Sequence, residues 1–592
     1  MPEDVRDIAG GEPTSLWYCA TSYDDWLKFK ELNGQNLAVR DMNEVMNAAL
    51  RKHRHLLRNL DSYIWPADAP YFPWAASDMS ELNPYLHDLQ RNLLYRLAIA
   101  QSDTQDRTDI VVTDDSDTAR VLQGSPPALS TVFSCLLGAV RARLAGLRTF
   151  LKRRRILKKL RRRYPLPQQL EQVDTLLIVW ADSKTFRGSA PAEVHSALGV
   201  LPHVLAEAGH RVAYLVQLRS WVEEFATTAE KILETGAPVI FVEETWRFSE
   251  VLTSCFTYFG FCRNLIKKVS LQGIDVSGVI ALAAFREMST WRPIQAIQFR
   301  YLMHRLVPLG LKPHNIVYTY ENQPWENVLL EGLRSNQFRD VNCVGVLHPA
   351  ISMDSIRYFV SDRNIRKERI PDQLLVMGGA YRQWFLENGY PASRVQVGGT
   401  VRYQNIFDKI GDRNLSETAP NQRETFTLFC PMSVGVEESR ELLRKVWLST
   451  KLLPAIELRV VVNFHPSMSH DDREKITRAI PSDPGNVSFS ELDTWSLLES
   501  ADAVAYNTTG VAFEAICAGL PVFFVAQDTA ADFDKVPEDL RVRCRTPSEI
   551  ADAVARFAEQ PLNSVDIKRR VQRLQDYMSP IDRTQILATM AV

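Results

Sequence analysis

Groups able to hold a phosphate gather near the C-terminal end of this chain. Residues 460–464, VVVNF, form an apolar run that stops at His465 and Pro466, and AVAY at 503–506 stops at Asn507, Thr508, Thr509 and Gly510. Short apolar runs of this kind predict buried strands. The polar groups then stand at the strands' C-terminal ends, the edge where open α/β sheets bind ligands. The Thr-Thr-Gly turn opens a predicted helix whose Val511, Ala512, Ala515 and Ile516 face the sheet, closed by Cys517, Ala518, Gly519 and Pro521. Hydroxyls beside free backbone N–H groups at a helix start can hold a phosphate. Glu514, four residues past Gly510, is placed to accept hydrogen bonds from a ribose diol. Taken singly, the threonines also read as N-caps, His465 as a turn histidine and Glu514 as a solvated helix carboxylate.

Chemistry on a ligand held there would call for a general base on the opposite wall. Two acids end predicted strands: Asp182 after TLLIVW (175–180) and Glu321 after NIVYTY (315–320). Either can instead cap the next helix, and the choice between them stays open. Lys184 and Arg187 follow Asp182 and suit an anionic substrate, while Glu326 lies five residues past Glu321. His348, in VLHP, repeats the strand-His-Pro pattern and fits a substrate contact or a turn. Arg402, in GGTVRYQ, fits a phosphate contact or a structural role. Asp114, Asp115 and Asp117 belong to the N-terminal region, away from where a metal–diphosphate site would need paired acids. No metal and no cofactor are expected. A leaving phosphate would be neutralised by backbone N–H groups, a helix dipole and basic side chains.

Alternating elements must position these groups. From residue 173, strand TLLIVW, a polar loop, a helix through VLPHVLAEAG and strand RVAYLV compose a βαβ unit. APVIFVEE, NIVYTYEN, CVGVLHP, DQLLVMGG and RVQVGG extend the series to residue 399. After a polar linker at 411–424, FTLFCP, LRVVVNFHP, NVSFSE, AVAYN and PVFFVA repeat it. The predicted fold is α/β: two Rossmann-like doubly wound domains facing a cleft, plus an N-terminal α/β accessory region. Expected bounds are 1–125 for the accessory region, 126–170 for a basic amphipathic linker helix, 171–410 for an acceptor domain and 411–592 for a donor domain. A last helix at 564–578 is expected to cross back to the first Rossmann-like domain.

The His-Pro pair, the hydroxyl pair and the helix glutamate together resemble the C-terminal half of GT-B glycosyltransferases. More narrowly they resemble bacterial surface-polysaccharide enzymes with an HP motif, of sialyltransferase-like, Kdo-transferase-like and glycerophosphotransferase-like kinds. The resemblance spans about 315–530. It implies that His465, Thr508 and Thr509 hold the phosphate of a donor nucleotide and Glu514 its ribose. It further implies inverting, metal-independent transfer of a CMP-linked nonulosonic acid or Kdo to a glycan or lipid-linked acceptor, in lipopolysaccharide or capsule assembly. The pair here is Thr-Thr, where Ser is commoner. The same fold allows a CDP-glycerol-type phosphotransferase or a UDP-sugar epimerase. A non-catalytic membrane-associated scaffold is the rival outside enzymology.

Composition bounds these readings. A chain of 592 residues, 45% hydrophobic and 24% charged, fits a globular protein of several domains. Eight scattered cysteines without a CxxC spacing predict reduced thiols and no zinc site. The polar start predicts no secretory leader, and the apolar run at 128–140 is too short to span a bilayer. The expectation is a cytoplasmic protein, peripheral at the inner face of the cytoplasmic membrane. Between 141 and 163 stand twelve Lys or Arg and no acid; setting them aside from the net −2 leaves −14 elsewhere. Leu144, Leu147, Leu151, Ile156, Leu157 and Leu160 recur there at near-helical spacing. Such a helix suits an anionic membrane surface or a solvated interdomain position. Nucleic acid is not an expected partner, because the rest of the chain is acidic and no aromatic platform accompanies the run.

Overall fold

The computed structural model describes residues 15–19, 23, 25–28, 41–65, 69–81, 88–102, 109–113, 115–166, 170–192, 196–218, 222–334, 338–407, 425–454, 456–466, 468–528 and 530–591. Asp114 and the 411–424 linker lie outside them.

Two parallel sheets organise the chain. The first holds β1 (Thr175–Ala181), β2 (Val212–Leu218), β3 (Val239–Phe241), β4 (Asn315–Thr319), β5 (Asn342–Val346), β6 (Gln373–Val376) and β7 (Val395–Val397), in the order β3-β2-β1-β4-β5-β6-β7. The second holds β8 (Thr425–Pro431), β9 (Glu457–Asn463), β10 (Val487–Phe489), β11 (Ala503–Tyr506), β12 (Val522–Val525) and β13 (Val542–Cys544), in the order β10-β9-β8-β11-β12-β13. Every pairing in both sheets is parallel. Helices cover both faces, so the strands are apolar throughout: Leu176, Leu177 and Ile178 are buried in succession, as are Val504, Ala505 and Tyr506. Both sheets are doubly wound in the Rossmann manner. In each, the winding reverses between the first strand and the fourth, and at that switch point the crossovers leave a crevice open.

The N-terminal residues lie across both domains. A short parallel pair, Ser15–Tyr18 with Asp109–Val112, accompanies helix α1 (Met42–Arg58). On the first domain, Arg58 bridges to Asp362 at 2.8 Å, and Asp61 accepts a hydrogen bond from Ser361 at 2.9 Å. On the second, Asn43 donates to Asp532 at 2.9 Å and Arg545 bonds Asp41 at 2.7 Å. Their apolar core is continuous with that of the first domain, running from Trp17 and Leu93 through Phe285 to Leu374.

The basic segment is one helix, α2 (Leu129–Leu160). By length and composition it can cross a bilayer, a difference from the sequence expectation, which rested on the apolar run alone. It nevertheless packs on the body of the protein. A Cβ at Gly146 would stand 2.1 Å from the Trp291 ring, and one at Gly138 would stand 2.8 Å from Ser289 Oγ. The six apolar positions expected on one face divide: Leu157 and Leu160 are buried, whereas Leu144 and Leu151 are exposed. α3 (Phe248–Leu265) begins just after Trp246, whose ring packs against Phe150 of α2.

The return to the first domain differs from expectation too. Ser564–Leu574 stays on the second domain, with Arg570 donating to the Leu540 carbonyl and Ile567 against Gly519. The crossing begins at Asp576, whose carbonyl accepts from Ala380 N–H, and ends in Arg583–Met590, where the Thr589 carbonyl accepts from Asn342. Gly399, at φ 76°, permits the contact, because a Cβ there would meet the Pro580 oxygen at 2.1 Å.

Candidate active site

Two acids flank the switch point of the first sheet, Asp182 after β1 and Glu321 just past β4, and they behave differently. Asp182 folds onto its own loop: its Oδ1 accepts from Lys184 N–H at 2.8 Å and from the Thr185 hydroxyl at 3.1 Å. Lys184 and Arg187 are exposed at that loop's tip. Glu321 points into a polar cluster, paired with His348 Nε2 at 3.2 Å and Arg357 Nη2 at 2.8 Å, and accepting from Gln323 at 2.7 Å. A left-handed turn at Asn322 (φ 55°) aims it there, secured by an Asn322 hydrogen bond of 2.7 Å to the Arg357 carbonyl. Behind it, Glu326 is fully buried at the start of α4 (Pro324–Arg334) and accepts from the Glu321 N–H at 3.1 Å. Burial, then the Glu321 charge, holds its carboxyl well above the usual carboxylate range.

The second sheet's switch point lies between β8 and β11. Thr508, half-buried past β11, donates to Glu438 Oε1 at 2.6 Å. Glu438 is the third residue of α5 (Val436–Thr450) and is buried; desolvation raises its pKa against the hydrogen bonds from Thr508 and Ser433. Asn507 is buried and donates to the Val525 carbonyl at 2.7 Å. Thr509 accepts from Val511 N–H at 3.3 Å, opening α6 (Val511–Cys517), a helix of only seven residues. The Tyr403 hydroxyl lies 3.2 Å from where a Gly510 Cβ would be, and the Glu514 charge acts on that phenol. His465 and Pro466 are exposed at the end of β9. They share the sheet edge with Thr508, but β8 lies between their strands, so the two groups do not end adjacent strands.

Lys535 joins the two walls. It follows β12 in a loop pinned at its neighbour: Asp534 accepts from the Tyr506 hydroxyl at 2.9 Å and pairs with Arg541. Burial pulls the Lys535 ammonium down to about 8. Glu438 of its own domain opposes that fall; Arg357 and Arg402 reinforce it, and Glu321 opposes it. Five charged groups from both domains therefore share one electrostatic neighbourhood, and Arg402 is exposed beside it. Glu321, His348 and Arg402 were candidates from sequence; Lys535, Glu438 and Arg357 were not.

A cavity of about 360 Å³ opens at the same edge of the first sheet, lined by Trp180, Gln217, Glu243, Trp325, Arg153 and Arg292. Trp180 belongs to β1 and Gln217 to β2, so the cavity adjoins the Asp182–Glu321 crevice. Arg153, from α2, bridges to Glu243 at 2.8 Å. Gln217 Nε2 and Glu243 Oε2 are buried there without a protein partner among the described residues. Aromatic walls with a few convergent polar groups are the kind of lining that small-molecule sites use.

Comparison with known proteins gives likeness of fold only. No family description matches the sequence, and no curated protein does. Among solved structures, UDP-GlcNAc 2-epimerase from Neisseria meningitidis, bound to UDP-GlcNAc, is 12% identical with TM-score 0.42, covering 71% of this chain and 100% of that one. The N-terminal domain of trehalose-6-phosphate phosphatase from Candida albicans is 12% identical with TM-score 0.42, covering 70% and 99%. HepE from Anabaena, in complex with UDP and glucose, is 12% identical with TM-score 0.37, covering 71% and 98%.

Proposed function

We propose that the chain is a glycosyltransferase that moves a sugar from an activated nucleotide onto a glycan or lipid-linked acceptor. The observation that carries this reading is the convergence at Lys535. Two switch-point crevices, one from each Rossmann-like domain, contribute Glu321 with Arg357 and Glu438 with Thr508 to a single charged neighbourhood. The second domain takes the donor, with Lys535 and Arg402 at its phosphate and His465, Asn507, Thr509 and Glu514 as further contacts along that edge. The acceptor sugar occupies the cavity beside Trp180 and Gln217. Cations around the crevice suit a donor bearing both a phosphate and a sugar carboxylate, as a CMP-linked nonulosonic acid or Kdo does.

Glu321 is the base in this scheme. Arg357 and His348 orient its carboxylate to take the acceptor hydroxyl's proton as oxygen attacks the anomeric carbon. The departing phosphate leaves against Lys535 and Arg402, whose fixed charge offsets what develops on it. Attack from the face opposite the leaving group inverts the anomeric centre.

The test is a thermal-shift screen with CMP, CDP, UDP and GDP on the full chain and on Lys535→Met. Sugar-nucleotide turnover is then assayed with and without acceptor glycans. Stabilisation by one nucleotide, lost in the variant, together with acceptor-dependent release of that nucleotide, is the expected result. Isomerisation of free nucleotide sugar without acceptor would replace the transferase reading by an epimerase, and no response to any nucleotide would leave a scaffold.

A further inference from the structure

Eleven of the eighteen large apolar side chains exposed among the described residues lie on α2, on α3 or one residue past it. Along α2, Leu129, Phe133, Leu137, Val140 and Leu144 recur every three or four residues, with Leu129 87% and Phe133 64% exposed. Along α3, Phe248, Leu252, Phe256 and Phe259 do the same, with Phe256 72% exposed. Scattered exposed apolar groups need no explanation, but a contiguous concentration of this kind marks a contact surface.

The C-terminal half of α2 packs on the turn that opens α3. Arg154 Nη1 on α2 donates to the Trp246 carbonyl at 3.1 Å, and the Phe150 and Trp246 rings pack at 5.6 Å, just before α3 begins. Further back on α2, Arg143 acts electrostatically on the Cys255 and Cys262 thiols of α3. The two helices therefore run in opposite senses, and both pack on the helix at Ser277–Met288.

Beyond Leu144 the outer side of α2 turns cationic. Arg148, Lys152, Arg155, Lys158 and Lys159 are exposed, and none makes an ion pair among the described residues. No acid occurs anywhere on α2. Apolar side chains that continue into unopposed positive charge match a lipid surface, whose acyl boundary and anionic headgroups lie at adjacent depths.

We propose that this two-helix ridge docks the protein flat on an anionic bilayer surface, its phenylalanines and leucines entering the acyl boundary and its basic half resting on the headgroups. Crossing the bilayer would require stripping α2 from the body, against the close contacts of Gly138 and Gly146 with the turn at Ser289 and Trp291. The proposal does not depend on the catalytic reading. It places the wall of the cavity, through Arg153, next to the lipid surface.

Co-sedimentation of the full chain with vesicles tests it without any nucleotide. Capture by phosphatidylcholine–phosphatidylglycerol vesicles, absent with phosphatidylcholine alone and weakened by added salt, is the expected result. Arg148→Glu with Arg155→Glu should lower partitioning at least about 25-fold, at roughly fivefold per charge removed. Phe133→Ser with Phe256→Ser should abolish capture while the melting temperature holds. Capture by neither vesicle overturns the proposal, as does capture unaffected by both variants. A dimer in solution that Phe256→Ser dissociates overturns it as well, because the ridge would then be a contact between copies.

Discussion

Lys535 offers the sharpest test of the two-walled crevice. Burial holds its ammonium at about 8, against an ordinary 10.5. At pH 7 the side chain is therefore about 90% charged, and at pH 9 only about 10%. A bound phosphate beside it restores the charge, so binding at pH 9 should take up close to 0.9 proton. Affinity for a nucleotide should fall about tenfold per pH unit above 8. Lys535→Met removes a charge-assisted hydrogen bond worth about 1.5–3 kcal/mol, a 10- to 150-fold loss at pH 7, and should flatten the pH dependence. Stability should move the other way. Because the folded pKa lies below the unfolded one, the folded state resists a proton that the unfolded state binds. The resulting destabilisation is full below pH 8 and vanishes as pH rises through the unfolded value. Its ceiling is about 3 kcal/mol. The variant should thus melt higher at pH 7 and no higher near pH 10.5. Isothermal titration of CMP and UDP from pH 6.5 to 9.5, in buffers of differing ionisation enthalpy, measures both affinity and proton uptake. Affinity that stays flat across this range, or the same slope in wild type and variant, would refute the argument.

Three further outcomes are expected. Glu321→Gln should lower kcat by about 10²- to 10⁴-fold with donor affinity preserved, read from steady-state kinetics beside nucleotide titration, because the amide keeps the shape and loses the basicity. Lys445→Met should destabilise by about 3–5 kcal/mol in chemical denaturation, since Lys445 and Glu441 are both buried and paired at 2.6 Å, and removal of the cation strands a carboxylate already pushed up to about 7. Gly146→Ala should lower the melting temperature through a clash of about 1–3 kcal/mol with Trp291 if α2 rests on the body. An unchanged melting temperature would mean that α2 stands away from it.

Strands were legible because burial on both faces leaves no polar interruption, as in Leu176 to Val179 and Val504 to Tyr506. Strand order was not, since pairing is set by tertiary contacts. Without it, neither the strand that separates His465 from Thr508 nor the β8–β11 crevice could be placed. Lys535 and Arg357 sit in loops as ordinary charged residues, and their significance arises from partners distant in sequence, Glu438 and Glu321. Glu438, in the first turn of α5, reads in sequence as an acid complementing a helix dipole. The loop closure of Asp182 was available: a threonine three residues on is a common turn partner, and Thr185 takes that role. On α2, spacing alone grouped Leu144 and Leu151 with Leu157 and Leu160, whereas neighbouring helices decide which of them are covered.

The N-terminal segment explains how two independent crevices stay in register. Its hold on the first domain is buried: Asp61 takes hydrogen bonds from Ser361 and the Tyr71 hydroxyl, and Asn364 donates to Tyr71 at 2.7 Å. Its polar hold on the second domain is mixed: Arg545 and Asp41 are 31% and 36% accessible, whereas Asn43 is buried and donates to Asp532 at 2.9 Å. Exposed ion pairs contribute up to about 1 kcal/mol each, while buried polar networks lose far more when opened. Both domains are therefore tied to one N-terminal segment, and the C-terminal helix, packed on the first domain through Ile586 and Met590, ties the end of the chain back to it. Those ties hold Lys535 and Glu438 opposite Glu321 and Arg357, while each half keeps its own partner, Thr508 for Glu438 and His348 for Glu321.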